Sequence, residues 1–493
     1  MKYLRTMYVT AFLLLIAPIS YAEVIELKSG HAGAPGDKRM VSEKKKRSSS
    51  KHPYCNLLPL PPGVIEHRGT YEKGIPHNGL GGVVERGDGT LMLAYADHLG
   101  LKPGDPVPSQ YRLSSDAGKT WSRAQTLNCG IGVHGMIRLQ SGKLAAYGDK
   151  KRGGKAVYIT TSADDGKTWI PPIDFGAYQD FNPYLHALTQ LSSGRLLLAG
   201  YWEGLNAGRP DEGFHEGATD TIPYTQYGWG IWRGRILFCE GHRGVEMGIN
   251  MVYYSDDEGL TWKQCVGGVF GWFDERGVPN GEGGIIDVYE PTVAETKDGR
   301  LLMIMRSKTG RLLQSYSMDQ GVTWLSVLPT ELSASQTSPQ LVKIPRTGDL
   351  LCVWNQVSCE EIRRGFQRGR LSSAISRDSG LTWESFKTLE LQEGMDDVAR
   401  IVPEFPIARR VVGRPGLGQL PDGFIMFSQP LVDIVGDLVF VRYARQWPVE
   451  TGKPPKQKHF GEWPRTWPRQ ADQGATMSDG DLVMRVYPLE WFY

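Results

Sequence analysis

One eight-residue pattern returns five times along the chain and limits its folding more than any other feature. Its first copy carries Ser114, Asp116, Gly118, Thr120 and Trp121, and its second Ser162, Asp164, Gly166, Thr168 and Trp169. The third has Ser255, Asp257, Gly259, Thr261 and Trp262, and the fourth Ser317, Asp319, Gly321, Thr323 and Trp324. The fifth has Ser376, Asp378, Gly380, Thr382 and Trp383. These residue types specify a turn. The Asp side chain accepts backbone N–H bonds as in an Asx turn, the Gly takes φ > 0, and the Trp packs beneath. Each copy follows a short β-like run, such as Val252, Tyr253 and Tyr254, so each is expected at a hairpin tip. A second turn signal accompanies the first: Asp88-Gly89, Ser141-Gly142, Ser193-Gly194, Asp298-Gly299, Thr347-Gly348 and Asp422-Gly423 each lead into an apolar strand. Six inner hairpins and five Trp-bearing outer hairpins, in units of about 50–60 residues, predict the four-stranded blades of a propeller. The expected fold is all-β, a six-bladed β-propeller. Its sixth blade lacks an outer hairpin and is expected to borrow a strand from a chain end, with residues 481–487 as the candidate. The 60 glycines and 14 tryptophans of the 493-residue chain suit such a turn-rich β protein.

The flanks carry other signals. Lys2 and Arg5, the apolar run 9–19 and the small residues up to Ala22 have the layout of a secretory signal peptide over 1–22. The run is shorter than the roughly 20 residues that span a bilayer, and no later segment is apolar enough. The protein is therefore expected in a periplasm or outside the cell, without a membrane span. Residues 23–52 are polar and end in Lys44, Lys45, Lys46, Arg47 and three serines, which reads as a flexible leader before a propeller over 53–493. The 56 basic residues nearly balance 54 acidic ones, and the net +2 argues against a nucleic-acid binder. Six cysteines stand at 55, 129, 239, 265, 352 and 359; Cys352 and Cys359 are close enough in sequence for a local bridge, and the pairing is otherwise open.

Residues 203–248 read as an insertion in the third blade, with Phe214, Tyr224, Tyr227, Trp229 and Trp232 offering faces on which sugar rings stack. Asp211, Glu212, His215 and Glu216 within it match no standard metal spacing and read as solvated charge. No metal or cofactor is expected. Residues 446–493, with Trp447-Pro448, Trp463-Pro464 and Trp467-Pro468, read as a strap over the propeller.

In a propeller the innermost strand of each blade lines the axis, so a ligand meets the residues ahead of each inner turn. Aligned on those turns, His134 and His186 occupy equivalent positions in the second and third units. Tyr289 and Glu290 belong to the fourth, Ser338 and Gln340 to the fifth, Arg414 to the sixth, and His77 and Asn78 to the first.

The five repeats are similar to the Asp boxes of the sialidase (BNR-repeat) superfamily, which the chain resembles from about residue 70 to 445. That resemblance implies a six-bladed propeller with the Asp boxes on its outer rim, far from the chemistry. The segment from Glu290 to Arg306 resembles the one that supplies the family's active-site Glu and an Arg. Three arginines grip the substrate carboxylate in that family, through the planar guanidinium fork. By resemblance, Arg306 is one and Arg368 or Arg370 the next. The family's Glu acts with a Tyr nucleophile, and an Asp near the first blade serves as acid/base, a role for which Asp97 is the candidate. Two places depart from the pattern. No Arg precedes Ile75-Pro76, and Arg414 stands before Pro415 where a Tyr is usual. Tyr289, beside Glu290, is the substitute candidate for nucleophile.

The expected function is hydrolysis of the glycosidic bond of a carboxylated sugar such as sialic acid, by a secreted monomer whose partner is a glycan. Two alternatives stay open. A polysaccharide lyase would cleave uronate polymers by β-elimination, which needs a neutralised carboxylate, a base and an acid, and His134, His186, Tyr289 and Arg306 or Arg414 would form such a set. A non-catalytic glycan-binding propeller is the other.

Overall fold

The computed structural model describes residues 58–70, 81–98, 101–152, 154, 156–175, 181–206, 228–232, 235–239, 246–273, 284–286, 288–364, 366, 368–392, 395–405, 407, 411, 425–450 and 475–493. Residues 1–52, read above as signal peptide and leader, and His77, Asn78 and Arg414 lie outside them.

Strand β1 (Ile65–Thr70) opens the described chain. Blade I is β2 (Gly82–Glu85), β3 (Leu91–Ala96), β4 (Ser109–Ser114) and β5 (Gln125–Leu127). Blade II is β6 (Gly132–Arg138), β7 (Leu144–Asp149), β8 (Tyr158–Ser162) and β9 (Ile173–Asp174). In blade III, β10 (Phe181–Gln190) and β11 (Leu196–Asn206) are followed by a hairpin, β12 (Gly228–Trp232) and β13 (Arg235–Cys239). The blade then resumes with β14 (Glu246–Ser255) and β15 (Lys263–Gln264), so the β12–β13 hairpin lies between its second and third strands. After a hairpin of β16 (Gly271–Phe273) and β17 (Gly284–Ile286), blade IV is β18 (Tyr289–Glu295), β19 (Leu301–Arg306), β20 (Arg311–Ser317) and β21 (Leu328–Ser333). Blade V is β22 (Gln340–Lys343), β23 (Leu350–Trp354), β24 (Arg370–Ser376) and β25 (Glu384–Leu391), with helix α1 (Cys359–Arg364) between its second and third strands. Blade VI is β26 (Met426–Val435), β27 (Leu438–Glu450) and β28 (Ala475–Pro488), and β1 pairs with β28 as its outermost strand.

The six innermost strands neighbour one another in chain order, and β26 returns to β2 to close the ring. The protein is a six-bladed β-propeller. Its apolar runs follow from the stacking. A blade is covered on both faces, so its strands alternate between two cores rather than between core and water. Leu196 and Leu198 face blade II, while Leu197 and Ala199 face blade IV. Leu301 and Met303 face blade III, while Leu302 and Ile304 face blade V. Each such fully buried side chain contributes about 1.5–3 kcal/mol relative to exposure.

The Asp boxes connect third to fourth strands in blades I–V. In the first, Asp116 Oδ1 accepts from the Thr120 N–H (2.8 Å) and Ser114 Oγ (2.8 Å), and Oδ2 accepts from Thr120 Oγ1 (2.6 Å). Gly118 has φ +81°, and a Cβ there would sit 2.8 Å from Phe440.

Three expectations need correction. The sixth inner turn is not Asp422-Gly423: β26 begins after it, and Gly436 (φ 59°) with Asp437 joins β26 to β27. Met426, close after Asp422-Gly423 in sequence, opens the innermost strand rather than belonging to the second one. The stretch 446–493 is not a strap throughout, because β27 and β28 are blade strands. Cys352 and Cys359 form no bridge with each other: Cys352 is buried in the core between blades IV and V, and Cys359, the first residue of α1, in a separate cluster. No helix among the described residues is long and apolar enough to cross a membrane.

Candidate functional site

Irregularities recur at the start of the innermost strands. The ladder shifts register between Val133 and Gly135 in β6, between Pro183 and Leu188 in β10, between Tyr289 and Thr292 in β18, and between Ser428 and Leu431 in β26. Bulges of this kind re-aim side chains and gather beside functional sites. His134, His186 and Glu290 stand at three of them. The side chain of His186 lies outside the description.

Glu290 has φ +49° and precedes Pro291, a strained backbone for a residue with a side chain. Its carboxylate Oε2 lies 2.6 Å from Arg306 Nη1 and accepts from Ser338 Oγ at 2.7 Å. Arg306 closes β19 opposite Tyr289, Ser338 precedes β22, and Arg368 precedes β24. Burial alone would raise the Glu290 carboxyl, but the charges of Arg306 and Arg368 and the bonds from Arg306 and Ser338 hold it below its ordinary value. Glu290, Arg306 and Arg368 therefore come together. Arg368 also fixes the next blade, since its carbonyl accepts from Phe427 N (2.8 Å).

Other candidates separate. Tyr289 is 1% exposed, and its ring meets Tyr201 edge-on at 5.6 Å. It fills the space left by Gly248, where a Cβ would lie 2.3 Å from the ring. Tyr289 is therefore a core residue between blades III and IV. Arg370 is fully buried and bidentate to Glu361 of α1 (3.0 and 3.0 Å), with a further bond to the Gln356 carbonyl (3.1 Å). That guanidinium anchors α1 to β24. Gln429, with φ +55° and Pro430 after it, repeats the Glu290-Pro291 geometry on β26. On the innermost strand of the sixth blade the residue before a proline is therefore Gln429, while Arg414 lies outside the described residues. The misplaced sixth turn hid Gln429, although the shared X-Pro at an inner strand was a usable signal.

His134 on β6 belongs to a second group. Its Nε2 lies 3.3 Å from Asp149 Oδ1, and its ring is 6.0 Å from that of His98. Burial pushes the His98 imidazole down to about 4, outweighing the attraction of Asp149. Asp97 adjoins this group and accepts from Gln110 Nε2 at 3.2 Å. His98 and Asp149 went unnoticed as partners because they close different blades, His98 after β3 and Asp149 at the end of β7. A cavity of about 680 Å³ lies toward the inner turns, lined among others by Glu85, Arg138, Gln190, Glu295 and Lys343. Glu290 and its arginines are not in that lining.

A ring of six four-stranded blades with five Asp boxes defines a BNR-repeat propeller. The chain belongs to the BNR repeat-like domain family, which matches residues 139–425, more than half of its length. No curated protein matches it. Among solved structures, a protein of unknown function from Dyadobacter fermentans shares 13% identity at TM-score 0.48, over 87% of this chain and 100% of the other. A Trypanosoma rangeli sialidase shares 13% identity at TM-score 0.44, over 87% of this chain and 60% of its own length. A Penicillium chrysogenum alpha-L-arabinanase shares 13% identity at TM-score 0.44, over 87% and 99%.

Proposed function

We propose that the protein is a secreted glycan-processing enzyme that hydrolyses the glycosidic bond of a carboxylated sugar. The observation that carries this reading is the meeting of two guanidiniums, Arg306 and Arg368, with the ionised Glu290 at the inner bulge of blade IV. Arginine forks bind a sugar carboxylate in two parallel bonds, and a water-poor setting strengthens them. Glu290 orients Arg306 and supplies negative charge beside the reacting carbon, where an oxocarbenium-like transition state develops positive charge. Water is the nucleophile in this reading, because Tyr289 is packed on Tyr201 and Gln429 stands before Pro430. Asp97 remains the candidate proton donor.

The test follows reducing-sugar release from a sialoglycan set and a uronate polysaccharide set, together with the ultraviolet absorbance of unsaturated uronates. Release without absorbance is expected, and Glu290→Gln should lower kcat by about 10²–10⁴-fold. Rising absorbance on a uronate polymer, abolished by His134→Ala, would replace hydrolysis with β-elimination. Glycan binding without turnover would make the protein a lectin-like propeller.

A further inference from the structure

We propose that His98, His134 and Asp149 form a binding site for a zinc-class divalent cation at the seam of blades I and II. No metal was expected from the sequence, and the site is independent of the proposed hydrolysis. The three residues each offer one ligand atom, and these atoms lie within 4.8 Å of one another.

The bland account is a hydrogen-bonded core cluster, and the side chains do not behave as one. Both ring nitrogens of His98, Nε2 of His134 and Oδ1 of Asp149 are buried without a hydrogen-bond partner. His98 as a whole is 5% exposed. Leaving a buried polar atom unsatisfied costs about 1–3 kcal/mol, so several converging on one point call for an occupant. The spacing fits a metal. Zn–N and Zn–O bonds of about 2.0–2.2 Å at the tetrahedral angle place neighbouring ligand atoms about 3.3 Å apart. His134 Nε2 and Asp149 Oδ1 are 3.3 Å apart without being hydrogen-bonded.

The surroundings hold this arrangement. A Cβ at Gly132 would stand 3.0 Å from Asp149 Oδ1 and 2.2 Å from Val107, so the glycine leaves room for the carboxylate. The Tyr147 ring meets His134 edge-on at 6.4 Å and fixes its plane. Two imidazole nitrogens and one carboxylate oxygen suit zinc, cobalt or nickel, whereas calcium and magnesium take mainly oxygen ligands. Three protein ligands leave one position of a tetrahedron for water.

Full-length protein, freed of metal with a chelator, is titrated with Co²⁺ and read by its visible d–d absorption. One saturable equivalent is expected, displaced by Zn²⁺ and not by Mg²⁺. His98→Ala and Asp149→Asn should each weaken Co²⁺ binding at least about tenfold with loss of the absorption band. Circular dichroism confirms that the variants fold. Should they not, the unmodified protein decides: Zn²⁺ at saturating concentration must raise its thermal midpoint, because a ligand bound only to the native state stabilises it. Absence of saturable binding overturns the proposal. So does undiminished binding in folded His98→Ala and Asp149→Asn, or loss of binding in His215→Ala instead.

Discussion

At the scale of single residues, the legible features are those whose partners sit within a few positions. An Asp box holds its donors and acceptors inside eight residues, so all five were readable. In each, the carboxylate accepts from the Thr four positions on, through backbone and side chain. The bonds from Thr120 and Ser114 pull the Asp116 carboxyl from 3.8 down to about 2, and those from Thr168 and Ser162 do the same for Asp164. A depressed folded-state pKa stabilises the fold above the unfolded pKa, and the effect is lost as pH falls through the folded value. The urea midpoint should therefore drop between about pH 4 and pH 2, and less steeply in Asp116→Asn than in the unmodified protein. Equal slopes would show that the box carboxylate carries no such linkage. Tyr289 shows the opposite case. Its place beside Glu290 suggested a shared site, but its ring is buried against Tyr201 in the core.

At the scale of elements, continuous apolar runs such as Leu196 to Leu198 announced strands buried on both faces, and five of six inner turns fell where Gly marked them. The sixth failed because Asp422-Gly423 before an apolar run looks like the others, although Met426 of that run opens the innermost strand. Only the three-stranded ladder of β26, β27 and β28 reveals the true turn at Gly436. The sandwiching of blades predicts how substitutions rank. Leu197→Ala, at a fully buried position between blades III and IV, should lower the unfolding free energy by about 2–5 kcal/mol. Leu381→Ala, 62% exposed in an Asp box, should stay within about 0.5 kcal/mol. Denaturant midpoints at constant slope check both, and comparable losses would contradict the stacking.

At the scale of the whole molecule, the two ends of the described chain meet in blade VI, where β1 pairs with β28 from Ile65 through Thr70. His67 Nε2 donates to the Gly118 carbonyl (2.7 Å), tying blade VI to the first Asp box. Glu66 reaches inward, where its carboxylate accepts from Arg485 Nε (2.8 Å), and Arg485 also pairs with Glu390 of blade V (2.9 Å). Tyr443 donates to the same Glu390, and Arg445 stands between the two carboxylates. Burial raises the Glu390 carboxyl despite these arginines, the mark of a charge group far from water. None of this was readable in advance, because Glu66 lies at one end of the chain and Arg485 at the other. A buried ion pair adds little net stability when complete, but removing one member strands the other in a low-dielectric interior. Glu66→Ala takes from Arg485 one of its two carboxylates and should cost about 3–5 kcal/mol. The loss is read as a lower urea midpoint with an unchanged slope, since the same surface unfolds. A cost below about 0.5 kcal/mol would mean that β1 merely lies against the ring and that closure rests on β26 and β2 instead.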